Sequence, residues 1–195
     1  MASASDISRA DRTYTVAVTR AVQELIDEIR EELSFQGHNL SGGLFRSIRQ
    51  RVETTADRLV SEVEMLAYGA VLNDGVKPSR IPFGRPTSGM PGRRSAFIAG
   101  LQAWVKERGI ETNDALALRI AFRIAKVMRR EGSPTRGSRK FSRNGRRRGF
   151  FNVGLRRGQG RMERSVGEAA ADYLHTLLSA TVDDLAGEYE NLLAL

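Results

Sequence analysis

The chain has no cysteine. That excludes a disulfide framework and any thiolate-ligated metal, and leaves a reducing compartment open to it. Histidine is almost as scarce, with only His38 and His175 present. Two isolated imidazoles do not make a zinc site. No apolar run is long enough to cross a bilayer, and the opening MASASDISRA lacks the apolar segment of a secretory leader. The expectation is a soluble protein made inside the cell, with no membrane partner. Lysine is also rare. Only Lys77, Lys106, Lys126 and Lys140 stand among 31 basic residues, and the rest are arginine. Arginine's planar fork suits phosphate or carboxylate, although a GC-rich genome produces the same excess.

What is present is sorted by charge. Residues 1–66 carry a net −3, residues 67–131 a net +7, residues 132–164 a net +10 and residues 165–195 a net −6. Segregation of this kind predicts surfaces meant for different partners. The most basic block contains GSRKFSRNGRRRGFFNVGLRRGQGRMER, with ten arginines or lysines in residues 137–164 and no acid before Glu163. Repulsion and six glycines in it predict an arm that cannot order itself by its own packing. On this reading residues 137–149 are mobile, and removing 137–148 leaves the core intact. Arg139, Lys140, Arg143, Arg146, Arg147, Arg148, Arg156 and Arg157 are the candidate contacts to a partner or to nucleic acid.

Apolar periodicity supplies the scaffold. Val18, Val22, Leu25, Ile29 and Leu33 form one stripe of a long first helix. LFRSIRQRVETTADRLVSEVEM reads as a short helical turn followed by a β-hairpin. LAYGAVLNDGVKPSRIPFGRPTSGMPG opens apolar and dissolves into a long glycine- and proline-rich loop. Ser95 is a candidate N-cap for a helix bearing Phe97, Leu101, Trp104 and Val105, and Gly109 suits its C-terminal end. A second helix carries Leu116, Ile120, Ile124 and Val127, with Ala117, Ala121 and Ala125 beside them, and closes at Gly132. Val166, Ala170, Tyr173, Leu177, Leu185, Tyr189 and Leu192 mark a long amphipathic C-terminal helix. The fold class is therefore α+β: a long N-terminal helix, a small antiparallel sheet, a central helical pair, an Arg-rich extended arm and the C-terminal helix. The corresponding boundaries are 1–13 for a tail, 14–132 for the core, 133–164 for the arm and 165–195 for the acidic helix.

Catalytic chemistry has little to stand on. Asp172 and His175 are spaced to hydrogen-bond on a helix, but that spacing recurs on solvated surfaces, and no nucleophile accompanies them. GRPTSGMPG lacks the Lys-Ser/Thr ending of a phosphate-cradling loop. Trp104, in helical phase with Phe97 and Leu101, reads as core. The expectation is a protein that is not an enzyme, with no cofactor and no metal.

The order of segments carries a resemblance. LSGGLFRSI, a hairpin, YGAVLNDG, a Pro/Gly loop, FIAGLQAWVKERGI, ALRIAFRIAKVMRREGSPTR and GFF resemble the small neck and tail-completion proteins of tailed bacteriophages, the head–tail connector and tail-terminator-like group. Leu101, Trp104, Val105, Gly109, Ile110, Ala121, Ile124, Ala125, Gly132, Pro134, Phe150 and Phe151 occupy the matching places, over roughly residues 40–151. The Arg-rich stretch replaces the family's short link before its paired phenylalanines, and the acidic helix is longer than usual. The resemblance implies a structural virion protein of the neck, a homo-oligomeric ring of six or twelve copies between portal or adaptor and tail. Such a ring frames the channel through which DNA leaves, with non-specific DNA contact at most. Two binding alternatives stay open: a nucleic-acid-binding protein with arginines on phosphates and Phe141, Phe150 or Phe151 on bases, and an RNA chaperone or ribosome-associated protein. An enzyme of unseen type is the third.

Overall fold

The computed structural model describes residues 4–38, 41–55, 58–82 and 95–193. The elements in order are α1 (Ala4–Phe35), α2 (Gly43–Ser47), β1 (Arg49–Thr54), β2 (Leu59–Glu64), α3 (Tyr68–Asp74), α4 (Ala96–Glu107), α5 (Asp114–Glu131) and α6 (Phe150–Leu193), with 3₁₀ turns at Pro78–Arg80 and Arg136–Phe141. The architecture is mostly helical α+β, as the periodicity predicts. The expected Gly/Pro loop falls largely within 83–94, outside the described residues, as do positions 56–57 of the hairpin turn. The chain divides into two compact units. One comprises Met1–Arg30, Ile48–Glu64 and Val153–Leu195, and the other Glu31–Ser47 and Met65–Asn152.

In the first unit, α6 packs antiparallel on α1. Ala21, Val22, Leu25, Ile26 and Ile29 of α1 are buried, following the stripe the sequence predicts from Val22 onward. The helices meet closely because α6 presents glycine. A Cβ on Gly154 would lie 2.5 Å from the Ile29 Cα and 2.8 Å from its nitrogen, and one on Gly158 would lie 2.6 Å from Leu25 Cδ1. Further along, Tyr14 stacks on Tyr173 with ring centroids 5.4 Å apart, and Arg161 pairs with Glu28. One step along α6 matches one step back along α1, so α6 draws level with Ala4 near Asp183. Leu185 and Tyr189, expected on the buried stripe, are 60% and 65% exposed. The strands pair antiparallel from Arg49↔Glu64 to Thr54↔Leu59, and Arg49 forms an ion pair with Glu64 at 3.1 Å.

α6 starts at Phe150 and runs for 44 residues, so half of the basic block expected as an arm is helix. Two further glycines in it, Gly160 and Gly167, have nothing within 4 Å of the place a Cβ would take. Alanine there keeps the helix and removes unfolded-state freedom. Gly160→Ala and Gly167→Ala should each stabilise the protein by about 0.5–1 kcal/mol, read as a rise in the urea midpoint.

In the second unit, α4 and α5 form the predicted helical pair. The Ser95 hydroxyl accepts from Ile98 N at 3.3 Å and the Asn113 side chain from Ala115 N and Leu116 N, so both N-termini are capped. Gln102 and Lys106 of α4 reach Asp114 at the start of α5, at 3.1 and 2.7 Å. The buried line of α5 is Ala117, Ala121 and Ala125, all at 0% exposure, whereas Leu116 is 45% exposed. The stripe expected on Leu116 is thus displaced onto the alanines, whose small side chains let a neighbour approach. α3, which the sequence pattern does not mark as a helix, ends at Asn73 and Asp74. The Asn73 carbonyl accepts from Gly149 N at 2.8 Å and its side chain from Phe151 N at 3.0 Å.

Candidate functional site

The basic stretch is folded onto the end of α1. A helix C-terminus leaves carbonyls without intrahelical donors and carries partial negative charge. α1 ends at Phe35, and Gly37 turns the chain with φ +70°. Arg143 N donates to the Phe35 carbonyl at 2.8 Å and the Ser142 hydroxyl to the same oxygen at 3.2 Å. Arg147 Nη1 donates to the Gln36 carbonyl, and Arg108 Nη2 to the Gly37 carbonyl at 2.8 Å. A backbone amide and a hydroxyl thus cap the last carbonyl of the helix, and two guanidinium groups take the two carbonyls that follow it. A Cβ at Gly37 would collide with the Phe141 carbonyl, so only glycine fits that approach.

Side chains below the cap complete the contact. Gln36 and Glu32 are fully buried, and Gln36 Nε2 donates both to Glu32 Oε1 at 2.9 Å and to the Arg148 carbonyl at 3.1 Å. Asn144 Nδ2 donates to Glu32 at 2.8 Å. Phe141 stands edge-on to Trp104 with centroids 5.8 Å apart, and the Arg108 guanidinium lies 5.8 Å from the Trp104 ring and 5.7 Å from the Phe141 ring. Trp104 is half-buried by this packing. The segment expected to need a partner finds part of its order inside its own unit.

His38 sits in the same cluster. Its Nε2 donates to the Arg147 carbonyl at 3.3 Å, and its ring tilts against the buried Phe150. Burial, then the Arg147 charge, pushes its pKa down to about 4, against a smaller upward pull from the hydrogen bond. The neutral ring is the folded form, and the unfolded chain takes up the proton first. His38 therefore contributes its stability above about pH 6.5 and loses it progressively down to about pH 4. Across that window the loss should reach about 2–3 kcal/mol after allowance for solvent screening. His38→Gln should flatten the decline, as measured by urea midpoints from pH 7 to pH 4.

The candidate contacts do not all converge. Arg139, Arg146, Arg147 and Arg148 line one groove of about 390 Å³, together with Arg136, Thr135, Pro134, Gly145 and Glu131. Lys140 lies with its Nζ 5.1 Å from the Phe141 ring, and the Arg143 side chain is exposed. Arg156 and Arg157 are exposed on α6, in the other unit. Arg136 and Arg108 are not among the sequence candidates. Arg136 adjoins the cluster in sequence, but nothing local marks Arg108, which reaches Gly37 from 71 positions away.

Five arginines around one groove can bind anions. Among the described residues Arg139 and Arg146 have no carboxylate partner. Arg148 Nη2 donates to the Ser133 carbonyl at 3.1 Å. The one acid, Glu131, is engaged by Arg130 at 2.7 Å and by Arg136 N at 3.1 Å, which hold its carboxyl below the usual range. His175 is exposed on α6 and makes no hydrogen bond to Asp172 among the described residues. No group of three or more His, Cys, Asp or Glu side chains suited to a metal occurs among the described residues. No described helix is long and apolar enough to cross a membrane. No family model matches the chain, and no curated protein or solved structure matches it.

Proposed function

We propose that the protein is a structural component of a tailed-phage neck, a ring-forming subunit that joins head to tail and frames the DNA channel, without catalytic activity. The reading rests on the sequence resemblance, and one structural observation supports it. Most segments that carry the resemblance fall in one compact unit, namely α2, α3, the α4–α5 pair and Phe150–Phe151, while its hairpin falls in the other. Portal or adaptor and tail proteins are its neighbours on this reading.

The test is location. Particles released by cells carrying the coding sequence should bind an antibody to this chain at the head–tail joint, at six or twelve copies each. Absence of the chain from purified particles would overturn the proposal.

The five-arginine groove favours a second reading, in which the protein binds nucleic-acid phosphates directly. On that reading the free chain binds duplex DNA, its affinity falls steeply with salt, and Arg139→Ala with Arg146→Ala weakens it. Weak, salt-indifferent binding by the free chain would exclude it.

A further inference from the structure

We infer that the end of α6 docks on the exposed face of α5 in a second copy of the chain, a head-to-tail contact. The inference rests on the ring reading for its biological setting and on two surfaces for its physics.

The first surface is on α6. Leu174, Leu178, Val182, Leu185 and Tyr189 recur at helical spacing and are 56–66% exposed. Five large apolar side chains in one stripe form a patch of the kind that marks an interaction site. Residues 165–195 hold six acids and no base. Asp183 and Asp184 flank the stripe, are exposed, and have no cationic partner among the described residues.

The second surface is the side of α5 opposite its buried alanines. Arg119, Arg123 and Lys126 lie on it at spacings of four and three, all exposed and without a carboxylate partner among the described residues. Leu116 and Phe122 stand beside them, 45% and 47% exposed. An acidic helix with an apolar stripe and a basic helix face with two apolar side chains are complementary in both charge and greasiness. Two copies of α6 pairing with each other would instead oppose acid with acid, so the stripe alone does not select a symmetric dimer. Because each chain carries both surfaces, the contact is heterologous, and repetition closes a ring or extends a filament.

The experiment measures the mass of the full-length chain by sedimentation as a function of concentration and salt. Wild type should self-associate, and salt should weaken it. Asp183→Arg with Asp184→Arg, and separately Arg123→Glu with Lys126→Glu, should each weaken association by about tenfold or more. All four positions are exposed, and circular dichroism checks that folding is kept. Mixing the two charge-reversed proteins should restore association, since each then offers a surface matched to the other. A wild-type chain that stays monomeric at about 100 µM would overturn the inference. So would α5-reversed protein that associates like wild type. Particle labelling is a separate readout: label retained at the neck in Asp183→Arg/Asp184→Arg particles would remove this contact while leaving the neck reading standing.

Discussion

Gly154→Ala should destabilise the protein by about 3 kcal/mol, whereas Gly158→Ala, one turn on, should cost about 1 kcal/mol. The asymmetry follows from what each new methyl would meet. At Gly154 the obstacles are backbone: the Ile29 Cα at 2.5 Å, the Ile29 nitrogen at 2.8 Å and the Glu28 carbonyl oxygen at 3.0 Å. Backbone inside a helix cannot step aside, so the whole of α6 must lift from α1 and surrender contacts along its length. At Gly158 the nearest atom is the Leu25 Cδ1, which a rotamer change can move, with the Leu25 Cα next at 3.3 Å. Urea denaturation of both variants checks the ranking. Equal effects would mean that the helices are not held at this separation.

Arg147→Ala should cost about 2–4 kcal/mol, and deletion of 137–148 should unfold much of the second unit. Arg147 donates to the Gln36 carbonyl, and that oxygen then loses its donor beside the fully buried Gln36 side chain. Arg147→Lys should recover only part of the loss, because an ammonium lacks the guanidinium's reach and fork. The deletion also removes Phe141 from the edge of Trp104 and the Asn144 contact to Glu32. Trp104 is the chain's single tryptophan, so its fluorescence should move to the red in the deletion variant. An unchanged emission and unfolding midpoint would restore the view of 137–148 as a dispensable arm, which is what composition alone suggests.

Local patterning makes much of the scaffold legible. The α1 stripe from Val22 to Leu33, the turn-then-hairpin of 43–64 and the caps at Ser95, Gly109 and Gly132 are all short-range signals, and the structure carries each of them. Composition misreads the basic segment for a physical reason. It counts arginines as charges needing an external counterion, but a guanidinium also satisfies bare carbonyls just past a helix end, and the turn after α1 offers two, at Gln36 and Gly37. Those pairings join positions 111 and 71 apart and leave no trace in any window of sequence. The glycines mislead in the same way. They lower helix propensity across 150–167, which hides the start of α6, yet Gly154 and Gly158 are where close packing on α1 outweighs the propensity loss.

The cap on α1 also imposes an order in time. A ribosome finishes α1 long before it makes the groups that close its end, since Ser142, Asn144 and Arg147 follow Phe35, Glu32 and Gln36 by 107, 112 and 111 positions. At about 5–20 residues per second, that interval is about 5–20 s. Throughout it the Gln36, Gly37 and His38 amides hold the last turn of the first helix through the Glu32, Ser34 and Leu33 carbonyls, while the Phe35 and Gln36 carbonyls have only water. The nascent chain therefore cannot complete the second unit until its final quarter is made, and any chain cut short before residue 142 leaves the Phe35 and Gln36 carbonyls without the donors that Ser142, Arg143 and Arg147 supply.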